Sequence, residues 1–208
     1  MAPTRETLSV SDADPSRTYS PEEQRRLTEN LLPLTEEVHS GSFSDREIDL
    51  SLPNELHRRL FDGVRQHAGQ PRSPGRGDER LLFGPNRSVH RDEVAAELDR
   101  CLELARRSLR SLEDNVDDPT YEEVAFRLAV WTHAEIIRIH PYSDGNGRTS
   151  RLVMNCLLVR LGLRPVVVEM SKREYTDMLN AYFASNPRGL QPLIDSLLRI
   201  MGDALPDR

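Results

Sequence analysis

A short stretch in the second half of the chain carries residues suited to binding anions. It runs from His140 to Arg151 with the sequence HPYSDGNGRTSR. Gly145 and Gly147 tolerate positive φ, so we expect the backbone to turn there and aim several N–H groups into one concave space. A helix is predicted to begin at about Gly147, and the unpaired N–H groups and positive dipole end of a helix favour a phosphate. The stretch therefore predicts a phosphate-binding turn.

Charged side chains and one imidazole flank this turn. Arg148 and Arg151 lie three residues apart and share a helix face, where two guanidinium groups suit a ligand with more than one negative charge. Asp144 offers carboxylate oxygens, which Mg²⁺ takes when substrate phosphates also bind it. His140, at the end of the preceding helical pattern, can accept a proton near neutral pH. These residues predict a base beside a metal-bound phosphate.

The same stretch resembles, at every position, the signature H-P-[FY]-x-[DE]-G-N-G-R-x-x-R of the Fic domain family. The resemblance implies an all-α, mainly helical fold with a short β-hairpin flap. It also implies an enzyme, a protein adenylyltransferase that uses Mg²⁺. Such an enzyme transfers AMP from ATP to a Ser, Thr or Tyr hydroxyl of a target protein and releases pyrophosphate.

The resemblance also assigns roles to the matching positions. His140 is expected to deprotonate the target hydroxyl, and Asp144 to hold Mg²⁺ between the α- and β-phosphates. The other motif residues are expected to hold the phosphates: Gly145, Asn146 and Gly147 as the anion hole, Arg148 and Arg151 at the outer phosphates. Tyr142 occupies the aromatic position and should pack under the loop. In the family the adenine base of ATP lies against the C-terminal region, so Tyr175 and Asn180 are candidates for the adenine pocket. Tyr175 and Tyr182 could equally well be core residues.

Each motif residue also has a structural interpretation. His140 could cap a helix C-terminus, Asp144 could cap the next helix, the glycines could serve a tight turn and the arginines could be solvated. His133 lies two helical turns before His140, so a metallohydrolase site of His133, His140 and Asp144 is a competing prediction. It leaves the glycine turn unexplained, and the complete motif favours the phosphate site.

Two further alternatives concern the reaction. The same cradle could serve another donor, by UMP transfer or by phosphate transfer from ATP, or it could belong to a non-catalytic nucleotide-binding regulatory module. The turn Gly145-Asn146-Gly147 lacks the bulkier, lysine-containing form of the phosphate-transferring relatives, which favours nucleotide transfer. The intact His140 argues against a pure binding module.

Composition fits one domain in a reducing compartment. The 208 residues suffice for one core, and the net charge of −6 argues against nucleic-acid or membrane partners. Lys172 is the only lysine, and no Walker-type phosphate loop is present. Cys101 and Cys156 are predicted core thiols.

The sequence contains no apolar run of signal-peptide length and none near the ~18 residues of a membrane span, so we expect the protein to be cytoplasmic where it is made. Secretion into a host or neighbouring cell would leave no trace in this sequence.

Helical patterns are predicted on both sides of the site. Residues 1–19 are polar and non-periodic, which predicts a mobile tail before a single domain over 20–208. Ser20 to Glu23 form a capping box with proline at the first helical position. Helices are predicted at about 21–38, 53–68, 92–112, 120–139, 147–161, around Tyr175 and at 190–201. Helix 120–139, with Val124, Leu128 and Trp131, should be the buried centre and hold loop 140–151 rigid.

Residues 80–90 are predicted to form a short β-hairpin around Gly84-Pro85-Asn86. In the family a hairpin at this place is the flap, which aligns the target protein by adding it as an extra strand. An ordered loop is the alternative interpretation.

Many Fic proteins are silenced by a helix with the pattern [ST]-x-x-x-E-[GN], whose glutamate pairs with the second motif arginine. Glu29-Asn30 has the right following residue, but Arg25 stands at the Ser/Thr position. Glu29 is therefore either a degenerate inhibitory residue paired with Arg151 or ordinary helix surface, and the departure favours the surface. In that case a separate antitoxin-like protein supplies the silencing helix, or none exists.

Overall fold

Helices form nearly all regular structure in this computed structural model, which describes residues 19–185 and 188–203. Within that part of the chain there are seven α-helices: α1 (Pro21–His39), α2 (Ser51–Leu60), α3 (Val94–Glu113), α4 (Tyr121–Ile139), α5 (Asn146–Arg160), α6 (Lys172–Ser185) and α7 (Gln191–Asp203). A short 3₁₀ turn covers Arg188–Leu190. Strands β1 (Leu82–Phe83) and β2 (Asn86–Arg87) pair antiparallel. The predicted all-α fold with one hairpin is confirmed.

The first helix begins where the capping box predicts. The Glu23 N–H donates to Ser20 Oγ at 3.2 Å, and the Ser20 N–H donates to Glu23 Oε2 at 2.8 Å. Pro21 occupies the first turn, where its missing N–H costs nothing. The cap therefore fixes where the chain enters the domain. The predicted mobile tail falls on residues 1–18, which lie outside the described part, and on Tyr19, which is anchored.

Helix α4 is the centre of the core. It packs against α5 on one side and against α3 and α7 on others, while α1 and α2 cover α5. Val130, Ala134 and Ile136 are completely buried in it. The expected burial of Val124 is wrong, because this residue is 45% exposed. It lies in the first turn of α4, over a groove that Trp131 also lines between α3 and α7.

The second helix is shorter than predicted. The sequence pattern suggests a helix to residue 68, but α2 ends at Leu60. Gly63 has φ +69°, a left-handed conformation that ends a helix, and the Val64 N–H turns back to the Phe61 carbonyl at 2.9 Å. Phe61 and Val64 are nevertheless buried. The apolar pattern therefore predicted which side chains enter the core, but not the backbone that carries them.

Among the described residues, no helix is both long enough and apolar enough to cross a bilayer.

Candidate active site

His140 ends α4 in an unusual backbone conformation. Its φ of 54° and ψ of 60° are left-handed, and within the described ranges it is the only residue other than glycine with positive φ. A side chain in this region costs about 1–2 kcal/mol. The conformation turns the chain sharply out of α4, so that the imidazole and the glycine turn lie on the same short loop.

The imidazole of His140 is oriented from two sides. Its Nδ1 lies 3.1 Å from the carbonyl oxygen of Ile137. A carbonyl can only accept, so Nδ1 carries the ring proton and Nε2 is the basic nitrogen. The ring of Phe83, in strand β1, lies against the imidazole with centroids 4.4 Å apart and planes 9° apart. The predicted hairpin thus contacts the predicted base directly.

The glycine turn is held by close packing. Gly145 has φ +76°, and a β-carbon there would lie 2.1 Å from the Phe61 ring, so only glycine fits. Positive φ was also expected at Gly147 and is wrong, because Gly147 is the second residue of α5. The helix begins one residue earlier than predicted, at Asn146. The first N–H groups of α5 therefore belong to Asn146 and Gly147, which places the predicted anion hole at a helix N-terminus.

The Asn146 side chain holds the loop together. Its Oδ1 accepts from the Tyr142 N–H and its Nδ2 donates to the Tyr142 carbonyl, both at 2.8 Å. Tyr142 is completely buried and stacks on His57 with centroids 3.9 Å apart, so it packs under the loop as expected. The Asn146 amide is thus occupied by protein, and the backbone is the part of this residue positioned for an anion.

Asp144 is a buried carboxylate with several partners. Its Oδ1 accepts from the Gly145 N–H at 2.7 Å, and its Oδ2 lies 3.4 Å from Arg65 Nε. Its carbonyl oxygen accepts from His57 Nε2 at 3.0 Å, since His57 Nδ1 accepts from the Gly69 N–H at 2.7 Å. Burial lowers the pKa of His57 to about 4 and keeps this ring neutral. The structure thus adds Arg65 and His57 to the site.

Tyr19 occupies the side of Asp144 that faces the motif arginines. Its hydroxyl donates to Asp144 Oδ2 and accepts from Arg148 Nη2 at 2.6 Å. The guanidinium carbons of Arg65 and Arg148 lie 4.5 Å and 5.3 Å from the ring centroid. Burial, opposed in part by Arg148, raises the pKa of Tyr19 to about 12, so the hydroxyl keeps its proton. Tyr19 therefore contacts both the predicted metal ligand and a predicted phosphate ligand.

Arg148 and Arg151 each have a buried donor that is not hydrogen-bonded within the described part of the chain. Arg148 Nε and Arg151 Nη1 are buried, and neither has a hydrogen-bond acceptor among the described residues. A buried N–H without an acceptor is costly, typically by about 1–3 kcal/mol. Anionic oxygens would satisfy both groups, and Asp144 offers hard oxygen ligands next to them. The residues present therefore fit a magnesium-bound polyphosphate.

The two adenine-pocket candidates lie in α6 but make different contacts. The Tyr175 hydroxyl lies 2.6 Å from His133 Nε2, and the Arg151 guanidinium lies 6.0 Å from the Tyr175 ring. Asn180 Oδ1 accepts from Asn86 of the hairpin at 2.5 Å, which ties α6 to β2. Tyr175 is buried beside Arg151, and Asn180 connects α6 to the hairpin. Their contact with a base stays a prediction.

The competing metal site is not formed. His133 is completely buried and bonded to Tyr175, and burial, with the charge of Arg151 second, lowers its pKa to about 3. In the described part of the chain no three metal-ligating side chains come together, which includes His133, His140 and Asp144. The metallohydrolase prediction is wrong because His133 points into the core.

Glu29 is on the surface of α1. Its carboxylate pairs with Arg25 at 2.8 Å, and its side chain is 47% exposed. The structure therefore supports the surface interpretation. The same helix instead brings its N-terminal end to the site, where Glu23 Oε1 accepts from Arg65 Nη1 at 2.5 Å.

Part of the chain is similar in sequence to known proteins. Residues 47–158, more than half of the chain, match the sequence model of the Fic/DOC family. The Protein adenylyltransferase Fic of Nematostella vectensis is 30% identical over 146 residues, which are 70% of this chain and 30% of that protein. The protein of the same name from Culex quinquefasciatus is 44% identical over 69 residues, 33% of this chain and 13% of that protein. The chain thus spans less than a third of the length of these relatives.

Solved structures share the fold. A Fic domain containing signaling protein from Bacteroides thetaiotaomicron superposes with a TM-score of 0.63 at 23% identity, covering 87% of this chain and 69% of that one. The BepC protein of Bartonella tribocorum, solved with bound AMPPNP, gives a TM-score of 0.62 at 18% identity, covering 90% and 87%. The motif, the helices around it and the matched sequence model all lead to one assignment: this chain belongs to the Fic/DOC family.

Proposed function

We propose that this chain is a protein adenylyltransferase, which transfers AMP from ATP to a hydroxyl side chain of a target protein and releases pyrophosphate. The proposal rests on two buried guanidinium nitrogens beside the loop of His140, Arg148 Nε and Arg151 Nη1, which find no hydrogen-bond acceptor within residues 19–185 and 188–203. Family membership and the names of the Nematostella and Culex relatives support it.

His140 acts as the general base. Its Nδ1 proton is donated to the Ile137 carbonyl, which makes Nε2 the atom that takes the proton of the target hydroxyl. The hydroxyl oxygen then bonds to the α-phosphorus of ATP while the bond from this phosphorus to the β-phosphate bridging oxygen breaks. Pyrophosphate carries away the electron pair of that bond. The proton on Nε2 leaves to solvent before the next turnover.

The phosphates are held by the start of α5. The backbone N–H groups of Asn146 and Gly147 and the side chains of Arg148 and Arg151 bind the negatively charged oxygens. Asp144 would hold Mg²⁺, which would neutralise charge on the phosphates. Most of the acceleration is expected from positioning and charge neutralisation, as in other reactions at phosphorus.

The target protein docks on the hairpin of residues 80–90. Strand β1 places Phe83 against His140, while the neighbouring Leu82 is 71% exposed. A peptide added as a third strand next to this hairpin would bring its own hydroxyl side chain to His140. This docking mode positions the hydroxyl through main-chain hydrogen bonds, so it places few restrictions on the amino-acid sequence of the target.

Intact-mass analysis of lysate proteins tests the proposal. The lysate is incubated with this chain, ATP and Mg²⁺, and His140→Asn is the paired variant. Asparagine tolerates left-handed backbone but cannot accept the proton, so the fold is retained and the reaction is lost. We expect a target that gains the mass of AMP with the wild-type chain only. A gain of UMP or phosphate mass, or ATP binding without any covalent product, would contradict the proposal.

A further inference from the structure

Arg72 is a buried arginine outside the motif, in the segment between α2 and the hairpin. It is 1% exposed and is among the largest fully buried side chains of the described chain. Its Nε donates to the His140 carbonyl at 3.0 Å, and its Nη2 lies 3.4 Å from the Ile139 carbonyl. Its backbone N–H donates to the Pro141 carbonyl at 2.7 Å. One residue thus binds three consecutive carbonyls at the end of α4.

The other donors of the same guanidinium reach the base of the hairpin. Nη1 lies 3.1 Å from the Asp78 carbonyl and 3.3 Å from the Glu79 carbonyl, before β1. Nη2 donates to Ser88 Oγ at 3.0 Å and to the Val89 carbonyl at 2.9 Å, after β2. Both ends of the hairpin are therefore fastened to the group that holds His140.

Two physical effects make arginine suited to this position. The last carbonyls of a helix lack intrahelical partners, and the helix dipole favours a cation there. A guanidinium has five N–H donors in a planar fork, so it can serve the helix end and the hairpin at once. Lysine has the charge, but its single ammonium group has three donors on one atom and cannot span the two. Burial lowers the pKa of Arg72 to about 10, which leaves it charged at neutral pH.

We infer that Arg72 is a positioning residue of the transfer reaction, which fixes the hairpin that receives the target relative to the imidazole of His140. This inference rests on the proposed function. The hydrogen bonds of the Arg72 guanidinium go to the end of α4 and to the base of the hairpin. It acts through the left-handed backbone of His140 and through the hairpin that lays Phe83 on the imidazole. Because a displacement of about 1 Å can cost about a hundredfold in rate, a loosened connection should lower turnover.

The test compares Arg72→Lys and Arg72→Ala with the wild-type chain. The substrate is the target found by intact mass, and the readouts are kcat, KM for the target, and the Kd for ATP with Mg²⁺. We expect kcat to fall by about tenfold to a hundredfold in both variants. The Kd for ATP should stay within about twofold, since the phosphate ligands lie in α5. Chemical rescue is the second readout: guanidinium ion at millimolar concentration should restore part of the kcat of Arg72→Ala, whereas ammonium ion should not.

Arg76→Lys is the matched control. Arg76 lies in the same segment, but its side chain bonds Gln70 and Ser73, so neither the helix end nor the hairpin depends on it. We expect wild-type kcat for this variant. Equal kcat in Arg72→Lys and wild type would overturn the inference, as would a rise in the Kd for ATP that matches the loss in kcat. A wild-type chain that transfers no AMP overturns the proposed function as well, which separates the two failures.

Discussion

The hydroxyl of Tyr19 is hydrogen-bonded to the carboxylate of Asp144, 125 positions away in the chain. The same hydroxyl accepts from Arg148 at 2.6 Å. Under the proposed function a magnesium-bound nucleotide would need both of these side chains, so it would compete with Tyr19 for them. On that proposal Tyr19, two residues before the start of α1, occupies the position of the ligand in this conformation, and binding would include the cost of moving it.

Replacing Tyr19 should therefore tighten nucleotide binding. We expect Tyr19→Ala to lower the Kd for ATP with Mg²⁺ by about threefold to thirtyfold, the equivalent of one or two hydrogen bonds at about 0.5–1.5 kcal/mol each. Isothermal titration calorimetry measures this directly. Glu29→Gly is the control, because Glu29 lies in the helix that follows Tyr19 and, among the described residues, its carboxylate pairs with Arg25 on the surface of α1. Weaker binding by Tyr19→Ala would show that Tyr19 supports the ligand instead of competing with it.

The stack between Phe83 and His140 should matter for turnover. Removing the ring in Phe83→Ala exposes one face of the imidazole and lets it rotate, so we expect kcat to fall by about threefold to tenfold, in line with aromatic pairs of about 0.5–1.5 kcal/mol. Phe83→Tyr keeps the stack and should retain most activity. Leu32→Ala is the control, since that side chain is exposed and lies in α1, outside the hairpin. If Phe83→Ala turned over faster than the wild type, the ring would instead be a cover over the base.

Substitutions at Gly145 and Gly162 distinguish the cost of backbone strain from the cost of a steric clash. They have φ of +76° and +75°, but a β-carbon meets Phe61 at 2.1 Å in the first case and nothing within 4 Å in the second. Gly162→Ala should lower the free energy of unfolding by about 1 kcal/mol. Gly145→Ala should cost about 1–3 kcal/mol more, because Phe61 is buried and cannot move aside cheaply. Urea unfolding measures both, and equal losses would refute the clash.

His57 should make stability depend on pH. Its pKa falls from 6.5 in the unfolded chain to about 4 in the fold, chiefly by burial. Below about pH 6.5 the unfolded state binds a proton that the folded state does not, so the free energy of unfolding decreases as pH falls toward 4. At about 1.4 kcal/mol per pH unit this amounts to about 3 kcal/mol.

Unfolding curves between pH 7 and pH 4 check this expectation. The substitution His57→Gln removes the titrating group, so the free energy of unfolding should fall by about 3 kcal/mol less between pH 7 and pH 4 than in the wild type. His67→Gln, at an exposed position, is the control. Parallel slopes for wild type and His57→Gln would show that the ring is protonated in the fold.

The proximity of the motif residues was predictable because they are contiguous in the sequence. His140, Asp144, Arg148 and Arg151 lie within one turn and the start of one helix, so their spacing alone brings them together. The capping box at Ser20 likewise predicted the start of α1, and the turn Gly84-Pro85-Asn86 predicted the hairpin.

The residues that support this loop were not predictable. Tyr19, His57, Arg65 and Arg72 come from three separate segments and meet the loop only through tertiary packing. No local pattern distinguishes them from other aromatic and basic residues of the chain. The predicted length of α2 was wrong for a related reason. A glycine in left-handed conformation ends the helix, while the apolar side chains around it still reach the core.

Trp131, the only tryptophan of the chain, lines the groove where α3, α4 and α7 meet. It precedes His140 by nine residues of helix, or about 13 Å along the axis. Indole emission responds to hydration of the ring, so the fluorescence of the unlabelled protein should report how α7 seats on α4. Occupancy of the catalytic loop should leave that signal nearly constant, which gives unfolding an optical probe of its own.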